Sequence, residues 1–326
     1  MTVPSSSGRG FLVGLAFATG GVASACDPTP ATFGPPRQAG TLGLEGGDLY
    51  YLAVGVGDPI IAIHGGPGLD HSYLLPGLEP LTETHKLILY DQRGLGGSPA
   101  TLDSAGISMT RYLDDLDALR GRVAGAESVV LLAHSWGSIP ATLYAMRWPQ
   151  RVRALILMSP VEPGQRYSAQ AEANQQARRS EEDQRAIDSL SALPWFQRGD
   201  AALLSQLLFH VFRGTFADPA KADSGLSIRL ADRTARQGGT VARLLLTPLA
   251  GLDFWDELAQ LDVPVLIVHG DRDPIPVQMV REMAAALPDA RLAVLDNVGH
   301  FPFIEAPGEL FGEIAGFLRE LDARPE

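Results

Sequence analysis

One serine lies in a segment whose residue types and position are typical of a catalytic nucleophile. The segment Ala133-His134-Ser135-Trp136-Gly137 follows the apolar run Ser128–Leu132 and opens an amphipathic helical pattern. A tight turn from a strand into a helix pushes a serine hydroxyl out of the sheet, and small neighbouring residues let the backbone bend without clashes. We therefore predict that Ser135 attacks a carbonyl carbon.

A serine of this kind needs a base, because its own hydroxyl is too weakly acidic to attack at neutral pH. Among the seven histidines, His300 is the best candidate, since it lies in a loop between the last strand-like run and the last helical pattern. A carboxylate must hold such a histidine in its productive tautomer, and two aspartates follow the apolar run Val263–Val268. We select Asp273 and interpret Asp271 as a turn former. Glu162 is a third alternative for the acid.

Backbone N–H groups must also stabilise the negative charge that develops on the attacked carbonyl oxygen, and each contributes about 3 kcal/mol in the transition state. The loop His64-Gly-Gly-Pro-Gly68 follows the apolar run Pro59–Ile63. Glycines there allow the backbone to approach a substrate closely. The predicted donors are the N–H groups of Gly66 and Trp136. The alternative is that this loop is a plain turn.

The sequence also contains the elements that must position these residues. Short, near-continuous apolar runs predict parallel strands that are buried on both faces. They alternate with amphipathic helical patterns, which predicts an α/β fold with a mostly parallel central sheet flanked by helices. The first two runs suggest an antiparallel start. Residues 161–250 are polar and helix-prone and predict an inserted helical cap, so the α/β core is expected at 41–160 and 251–326. The predicted strands are Asp48–Val54, Pro59–Ile63, Lys86–Tyr90, Ser128–Leu132, Val152–Met158, Val263–Val268 and Arg291–Leu295.

The N-terminal residues differ from the rest of the chain. A short basic region, an apolar stretch and an Ala-Ser-Ala end predict a signal peptide over residues 1–25. Cys26 follows directly and is a candidate for a lipid anchor, whereas residues 26–40 are rich in proline and predict a linker. We therefore expect an exported protein, either periplasmic or anchored to the membrane as a lipoprotein. The alternative is a cytoplasmic protein with an N-terminal extension.

Composition narrows the function classes. The chain has 326 residues, 45% of them hydrophobic, with a formal net charge of −12. This acidic balance, without a basic run, argues against binding to nucleic acid, which depends on phosphate neutralisation. A single cysteine excludes an intrachain disulfide and a cysteine-rich zinc site. No cofactor or metal is implied by the motifs, and the expected partner is a small-molecule or short-peptide substrate.

Taken together, these segments resemble the α/β-hydrolase fold family over about residues 41–320, apart from the cap. Within that family, three motifs resemble the prolyl iminopeptidases, which are serine aminopeptidases: His64-Gly-Gly-Pro-Gly68, Asp91-Gln-Arg-Gly94 and Ser135-Trp-Gly-Ser138. The resemblance implies release of an N-terminal proline, or a similar residue, from short peptides. It also implies a serine, histidine and aspartate triad in the chain order found here.

The cap carries the prediction about specificity. The resemblance implies that cap glutamates bind the free amino group of the substrate, and the candidates here are Glu172, Glu181 and Glu182. The alternative is that these acids form a solvated helix face. Two other functions remain open: a carboxylesterase or lactonase that uses the same triad on small acyl substrates, and a binding protein without enzymatic activity.

Overall fold

The computed structural model describes residues 35–194 and 198–324, and the structural statements below concern these residues. The predicted signal peptide (1–25) and the candidate lipidation site Cys26 lie outside them. None of the helices in the described ranges is long and apolar enough to cross a membrane.

A mostly parallel sheet forms the centre of the fold, as predicted. Its strands are β1 (Arg37–Leu44), β2 (Gly47–Val54), β3 (Pro59–Ile63), β4 (Lys86–Tyr90), β5 (Val129–His134), β6 (Val152–Met158), β7 (Val265–Gly270) and β8 (Ala290–Leu295). Their spatial order is β1-β2-β4-β3-β5-β6-β7-β8. The pairs β1–β2 and β2–β4 are antiparallel, and all other neighbouring strands are parallel. The antiparallel start therefore comes from β1 and β2, whereas β2 and β3 do not pair with each other.

Helices flank this sheet and also fill the chain between β6 and β7. The helices are α1 (Met109–Ala124), α2 (Ser138–Arg147), α3 (Ser168–Arg178), α4 (Glu181–Ser191), α5 (Ala201–Arg213), α6 (Pro219–Gly225), α7 (Asp232–Leu249), α8 (Val277–Ala286) and α9 (Pro307–Asp322). Single helical turns occur at Leu75–Leu78 and Pro302–Glu305. Within the described ranges, helices α3 to α7 all fall between β6 and β7, in the part of the chain where the sequence predicted a helical insert.

The apolar runs are continuous because alternate residues of each central strand pack into cores on opposite faces of the sheet. In β3, Ile61 and Ile63 belong to one hydrophobic cluster, and Ile60 and Ala62 belong to the other. Burying a side chain of this size stabilises the fold by about 1.5–3 kcal/mol. The two cores enclose the central strands, and the ends of these strands position the loops that carry the candidate site.

The start of the folded chain differs from the prediction. β1 begins at Arg37, so residues 37–40 belong to the sheet and not to a linker. This strand is an exposed edge without an apolar run, and only Leu42 and Leu44 pack against the core. Its hairpin with β2 is closed by a turn in which Gly46 adopts a φ of 86°, a left-handed conformation that glycine adopts without strain.

Candidate active site

Ser135 lies on a sharp turn between β5 and α2. Its φ is 54°, which places a non-glycine residue in the left-handed region and is a sign of local strain. Two glycines allow the loop after β3 to approach this turn. A Cβ on Gly65 would lie 2.9 Å from Ser135 Cβ, and a Cβ on Gly137 would lie 2.5 Å from the carbonyl oxygen of Ile63. The serine therefore stands out of the sheet on a backbone that larger residues would disrupt.

The structure brings Ser135, His300 and Asp273 together in one hydrogen-bonded chain. His300 Nε2 lies 2.9 Å from Ser135 Oγ, and His300 Nδ1 lies 2.8 Å from Asp273 Oδ2. Because a carboxylate only accepts hydrogen bonds, Nδ1 carries the proton and donates it to Asp273. Nε2 is then the acceptor for the Ser135 hydroxyl. This tautomer is the one that a general base beside a serine requires.

Asp273 is completely buried, yet it remains ionised. Burial by itself raises the pKa of the Asp273 carboxyl, but the charges of His300 and His269 and hydrogen bonds from His300 and the Ile275 N–H lower it to about 2. The Ile275 N–H donates to Asp273 Oδ1 over 2.9 Å, which fixes the carboxylate plane. The charged carboxylate therefore accepts the Nδ1–H of His300 and holds the imidazole in place.

Neither alternative acid contacts His300. The carboxylate of Asp271 accepts a long hydrogen bond of 3.4 Å from the Val298 N–H and remains partly exposed. Glu162 is buried and accepts hydrogen bonds from the Tyr167 N–H and from the Ser168 hydroxyl. Both acids thus organise loops.

A buried glutamate that no motif singled out holds the loop of His300. Glu305 Oε1 accepts from the N–H of Gly299 (3.0 Å) and of Phe301 (3.3 Å), and Oε2 accepts from the Ala217 N–H at 2.8 Å. Burial raises the pKa of Glu305, and these N–H donors oppose that rise. A charged residue at the end of the apolar segment Phe301-Pro-Phe-Ile was the only signal in the sequence. The contacts with Ala217 join the base loop to the chain between β6 and β7.

Tyr73, which the sequence analysis did not single out, and His134 connect the loop after β3 to the His300 loop. His134 Nε2 lies 2.8 Å from the carbonyl oxygen of His300, so it must donate to that oxygen. His134 Nδ1 therefore accepts, and the hydroxyl of Tyr73 donates to it over 2.9 Å. The Tyr73 oxygen in turn accepts from the Gly65 N–H at 2.7 Å. Burial, followed by the charge of His300, lowers the pKa of His134 to about 3, so this histidine is neutral.

The predicted N–H donors flank the serine. Gly66 has a φ of 62° and lines the same cavity as Ser135, and Trp136 follows Ser135 in the chain and is buried. The amide of Gln92 supports this loop by donating to the carbonyl oxygen of His64 over 2.9 Å. Both predicted donor residues therefore neighbour Ser135, Gly66 across the cavity and Trp136 along the chain.

The cavity beside Ser135 is small and apolar. Its volume is about 50 Å³, and no carboxylate lines it in the described part of the chain. The apolar lining consists of Leu69, Phe212, Leu226, Ile228, Leu230 and Phe301. Three of these come from the chain between α6 and α7, a region without any sequence motif. Such a surface suits an uncharged group next to the attacked carbonyl.

The predicted amine-binding glutamates lie elsewhere. Glu172, Glu181 and Glu182 are all exposed, and none of them lines the cavity beside Ser135. Glu181 and Glu182 occupy the first turn of α4, where negative charge stabilises a helix N-terminus. Glu172 accepts a hydrogen bond from Gln176 one turn further along α3. The three acids therefore lie outside the cavity beside Ser135, and their binding of a substrate amino group stays a prediction.

Known proteins resemble this chain along most of its length. A family model described as alpha/beta hydrolase fold matches residues 58–307. The proline iminopeptidase of Heyndrickxia coagulans is 26% identical over 276 residues, which cover 82% of this chain and 92% of that protein. The crystal structure of the proline iminopeptidase of Mycobacterium smegmatis aligns with a TM-score of 0.65 and 21% identity over 87% of this chain and 99% of its own. A thermophilic esterase from Thermogutta terrifontis aligns with a TM-score of 0.63 and 22% identity, covering 87% of this chain and 99% of its own.

Proposed function

The chain belongs to the α/β-hydrolase family and is a hydrolase, and we propose that it works through a covalent acyl-enzyme with Ser135, His300 and Asp273 as its catalytic residues. One observation carries the proposal: Ser135 Oγ, the imidazole of His300 and the carboxylate of Asp273 form a continuous hydrogen-bonded chain with distances of 2.9 and 2.8 Å.

The first half of the reaction forms the acyl-enzyme. Ser135 Oγ attacks the substrate carbonyl carbon while its proton moves to His300 Nε2, and the carbonyl π bond becomes the oxyanion of a tetrahedral intermediate. The N–H groups of Gly66 and Trp136 stabilise that oxyanion. The intermediate then collapses, the bond to the leaving group breaks, and the leaving group takes the proton from His300. Asp273 remains ionised throughout and stabilises the imidazolium form of His300.

The second half repeats these steps with water. His300 Nε2 takes one proton from a water molecule, whose oxygen attacks the acyl carbon of the ester formed with Ser135. A second tetrahedral intermediate collapses and expels Ser135 Oγ, which recovers its proton from His300. The products are a carboxylic acid and the free enzyme.

We propose that the substrate is a carboxyl ester or lactone with a small uncharged acyl group. An N-terminal ammonium group next to the scissile carbonyl would enter an apolar cavity that offers it no carboxylate in the described residues. Burying an unpaired charge costs several kcal/mol. An apolar acyl group instead gains about 25 cal/mol for each square ångström that it removes from water.

An aminopeptidase that releases N-terminal proline is the second candidate. The observation that favours it is the likeness to proline iminopeptidases, which extends over four fifths of the chain. Such an enzyme would have to hold the substrate's amino group outside the apolar cavity.

A side-by-side assay tests both candidates. The wild-type protein and Ser135→Ala are given p-nitrophenyl acetate, a short-chain lactone and proline p-nitroanilide under the same conditions. We expect the ester and the lactone to be cleaved with a higher kcat/KM than the anilide. Ser135→Ala should lower the rate by several orders of magnitude, as is usual for the loss of a triad serine. A variant that kept a tenth of the activity would exclude Ser135 as the nucleophile, and a preference for the anilide would favour the second candidate.

A further inference from the structure

A short extended segment separates the cavity beside Ser135 from a second, larger space. Residues 226–230 connect α6 to α7 without helical structure. Side chains alternate between the two sides of an extended backbone, and Leu226, Ile228 and Leu230 are the members of this segment that line the cavity beside Ser135. Ser227 and Arg229 do not line it. We call residues 226–230 the wall.

The outer space is an apolar groove bounded by the wall and by α5. Its volume is about 560 Å³, roughly ten times that of the inner cavity, and Phe209 contributes to its surface. All five residues of the wall line this groove, including Ser227 and Arg229. The two spaces are therefore neighbours on either side of the wall, and Leu226, Ile228 and Leu230 line both of them.

The wall is fixed at both ends by hydrogen bonds. At its start, the Leu226 N–H donates to the Ala222 carbonyl oxygen over 3.0 Å. At its end, the Leu230 N–H donates to Ser205 Oγ over 3.2 Å, and the Ala231 N–H donates to Asp70 Oδ2 over 2.9 Å. Ile228 stands in the middle, between these attachments, and its side chain is only partly buried. The side chain of Ile228 can therefore be shortened without loss of any of these hydrogen bonds, which hold the backbone of the wall.

We infer that the wall sets the length of the acyl group that the enzyme accepts, with Ile228 as its main specificity-determining residue. This inference rests on the proposed function and adds the substrate class: esters of short-chain carboxylic acids. An acetyl group bound to Ser135 fits the inner cavity, whereas an octanoyl chain meets Leu226, Ile228 and Leu230 before it reaches the groove. Shortening Ile228 joins the two spaces and gives a long chain an apolar path.

The test is a chain-length profile of p-nitrophenyl esters from acetate through butyrate to octanoate. We expect kcat/KM of the wild-type protein to fall steeply towards octanoate. Ile228→Ala should raise the octanoate-to-acetate ratio of kcat/KM by about tenfold or more, which is the usual effect of one or two carbon atoms in an apolar specificity pocket. Arg229→Ala is the matched control, because Arg229 is exposed and lines the outer groove but not the inner cavity, so its loss does not join the two spaces. Its profile should equal that of the wild-type protein.

Ile228→Val provides a second test in case Ile228→Ala does not fold. It removes a single carbon and should shift the octanoate-to-acetate ratio in the same direction by a smaller factor. A wild-type protein that cleaves octanoate as fast as acetate would overturn the inference. So would an Ile228→Ala variant that folds but keeps the wild-type ratio, or a ratio that Arg229→Ala shifts equally. If the wild-type protein cleaves no ester faster than Ser135→Ala does, the proposed function is wrong, and the inference is wrong with it. A series that is cleaved with a flat profile overturns the inference alone.

Discussion

The hydroxyl of Tyr73 joins the loop after β3 to the nucleophile turn, because it donates to His134 Nδ1 over 2.9 Å while its oxygen accepts from the Gly65 N–H over 2.7 Å. His134 precedes Ser135 in the chain, and Gly65 precedes Gly66. One buried hydroxyl thus sets the distance between the serine and the predicted oxyanion donor.

Tyr73→Phe should therefore lower both stability and activity. The variant leaves His134 Nδ1 and the Gly65 N–H buried without a partner, and each such group costs about 1–3 kcal/mol of the free energy of unfolding. Because the Gly65 backbone loses its anchor, we expect kcat to fall by about tenfold or more with a smaller change in KM. Steady-state kinetics and urea unfolding measure the two effects.

Tyr112→Phe is the control for this prediction. The buried hydroxyl of Tyr112 donates to the Arg93 carbonyl oxygen over 2.9 Å, and Tyr112 does not line the cavity beside Ser135. This variant should lose stability but keep its kcat. An equal fall of kcat in both variants would mean that Tyr73 acts only through the stability of the fold.

Asp273→Asn should reduce kcat by about three to four orders of magnitude, the range known for this change in other serine triads. The physical reason is the neighbouring Ile275 N–H, which donates to Asp273 Oδ1. An asparagine places its amide oxygen there and turns its NH₂ group towards His300 Nδ1. His300 must then carry its proton on Nε2, where it cannot accept the proton of Ser135.

The control is Asp271→Asn, which changes the same functional group two residues away. Asp271 accepts one long hydrogen bond, from the Val298 N–H, and is partly exposed. A hydrogen bond of this kind contributes about 1 kcal/mol, so activity should fall by no more than about tenfold. Equal losses at the two positions, measured as kcat on the same ester, would contradict the assignment of Asp273.

Neutralising the exposed cap acids should have little effect. A variant in which Glu172, Glu181 and Glu182 are all replaced by glutamine removes charges that lie in water and outside the cavity. Exposed charges contribute less than about 1 kcal/mol each. We expect kcat/KM on p-nitrophenyl acetate and on proline p-nitroanilide to stay within about threefold of the wild-type values. A raised KM for the anilide, with unchanged ester hydrolysis, would identify these residues as an amine-binding site.

The central strands could be predicted from the sequence because burial on both faces leaves an unbroken apolar run. β3, β4 and β6 have the bounds that their runs predicted, Pro59–Ile63, Lys86–Tyr90 and Val152–Met158. The positions of Ser135 and Asp273 after strand ends could be predicted for the same reason, since parallel strands bring their carboxyl ends to one edge. Strand β1 could not be predicted, because this edge strand is held by backbone pairing with β2 and buries few apolar side chains.

The contribution of the wall to the site could not be predicted from the sequence, for another reason. Leu226, Ile228 and Leu230 reach Ser135 only because the chain between β6 and β7 packs back over the sheet, held in part by the hydrogen bond from the Thr234 hydroxyl to Asp70 Oδ2. No local spacing encodes such contacts. The position of Glu172, Glu181 and Glu182 outside this cavity could not be predicted for the same reason, because helix patterns do not say which face lies over the serine.

Buried neutral His134 should make the protein sensitive to mild acid. The pKa of this histidine falls from an ordinary value of 6.5 to about 3 in the folded protein, first because of burial and then because of the charge of His300. Between these two values the unfolded chain binds a proton that the folded chain does not. Stability from this group is therefore complete above pH 6.5 and is lost progressively as the pH falls towards 3.

His134→Gln isolates this contribution, because glutamine is polar but does not titrate. Two further buried histidines, His64 and His269, are present in both proteins, and their contributions cancel in the comparison. The wild-type free energy of unfolding, measured by urea titration, should fall relative to that of the variant by about 2 kcal/mol between pH 7 and pH 5. If the difference between the two proteins is the same at both pH values, His134 takes up a proton in the folded state as readily as in the unfolded chain. Its Nδ1 would then be unable to serve as the acceptor for Tyr73.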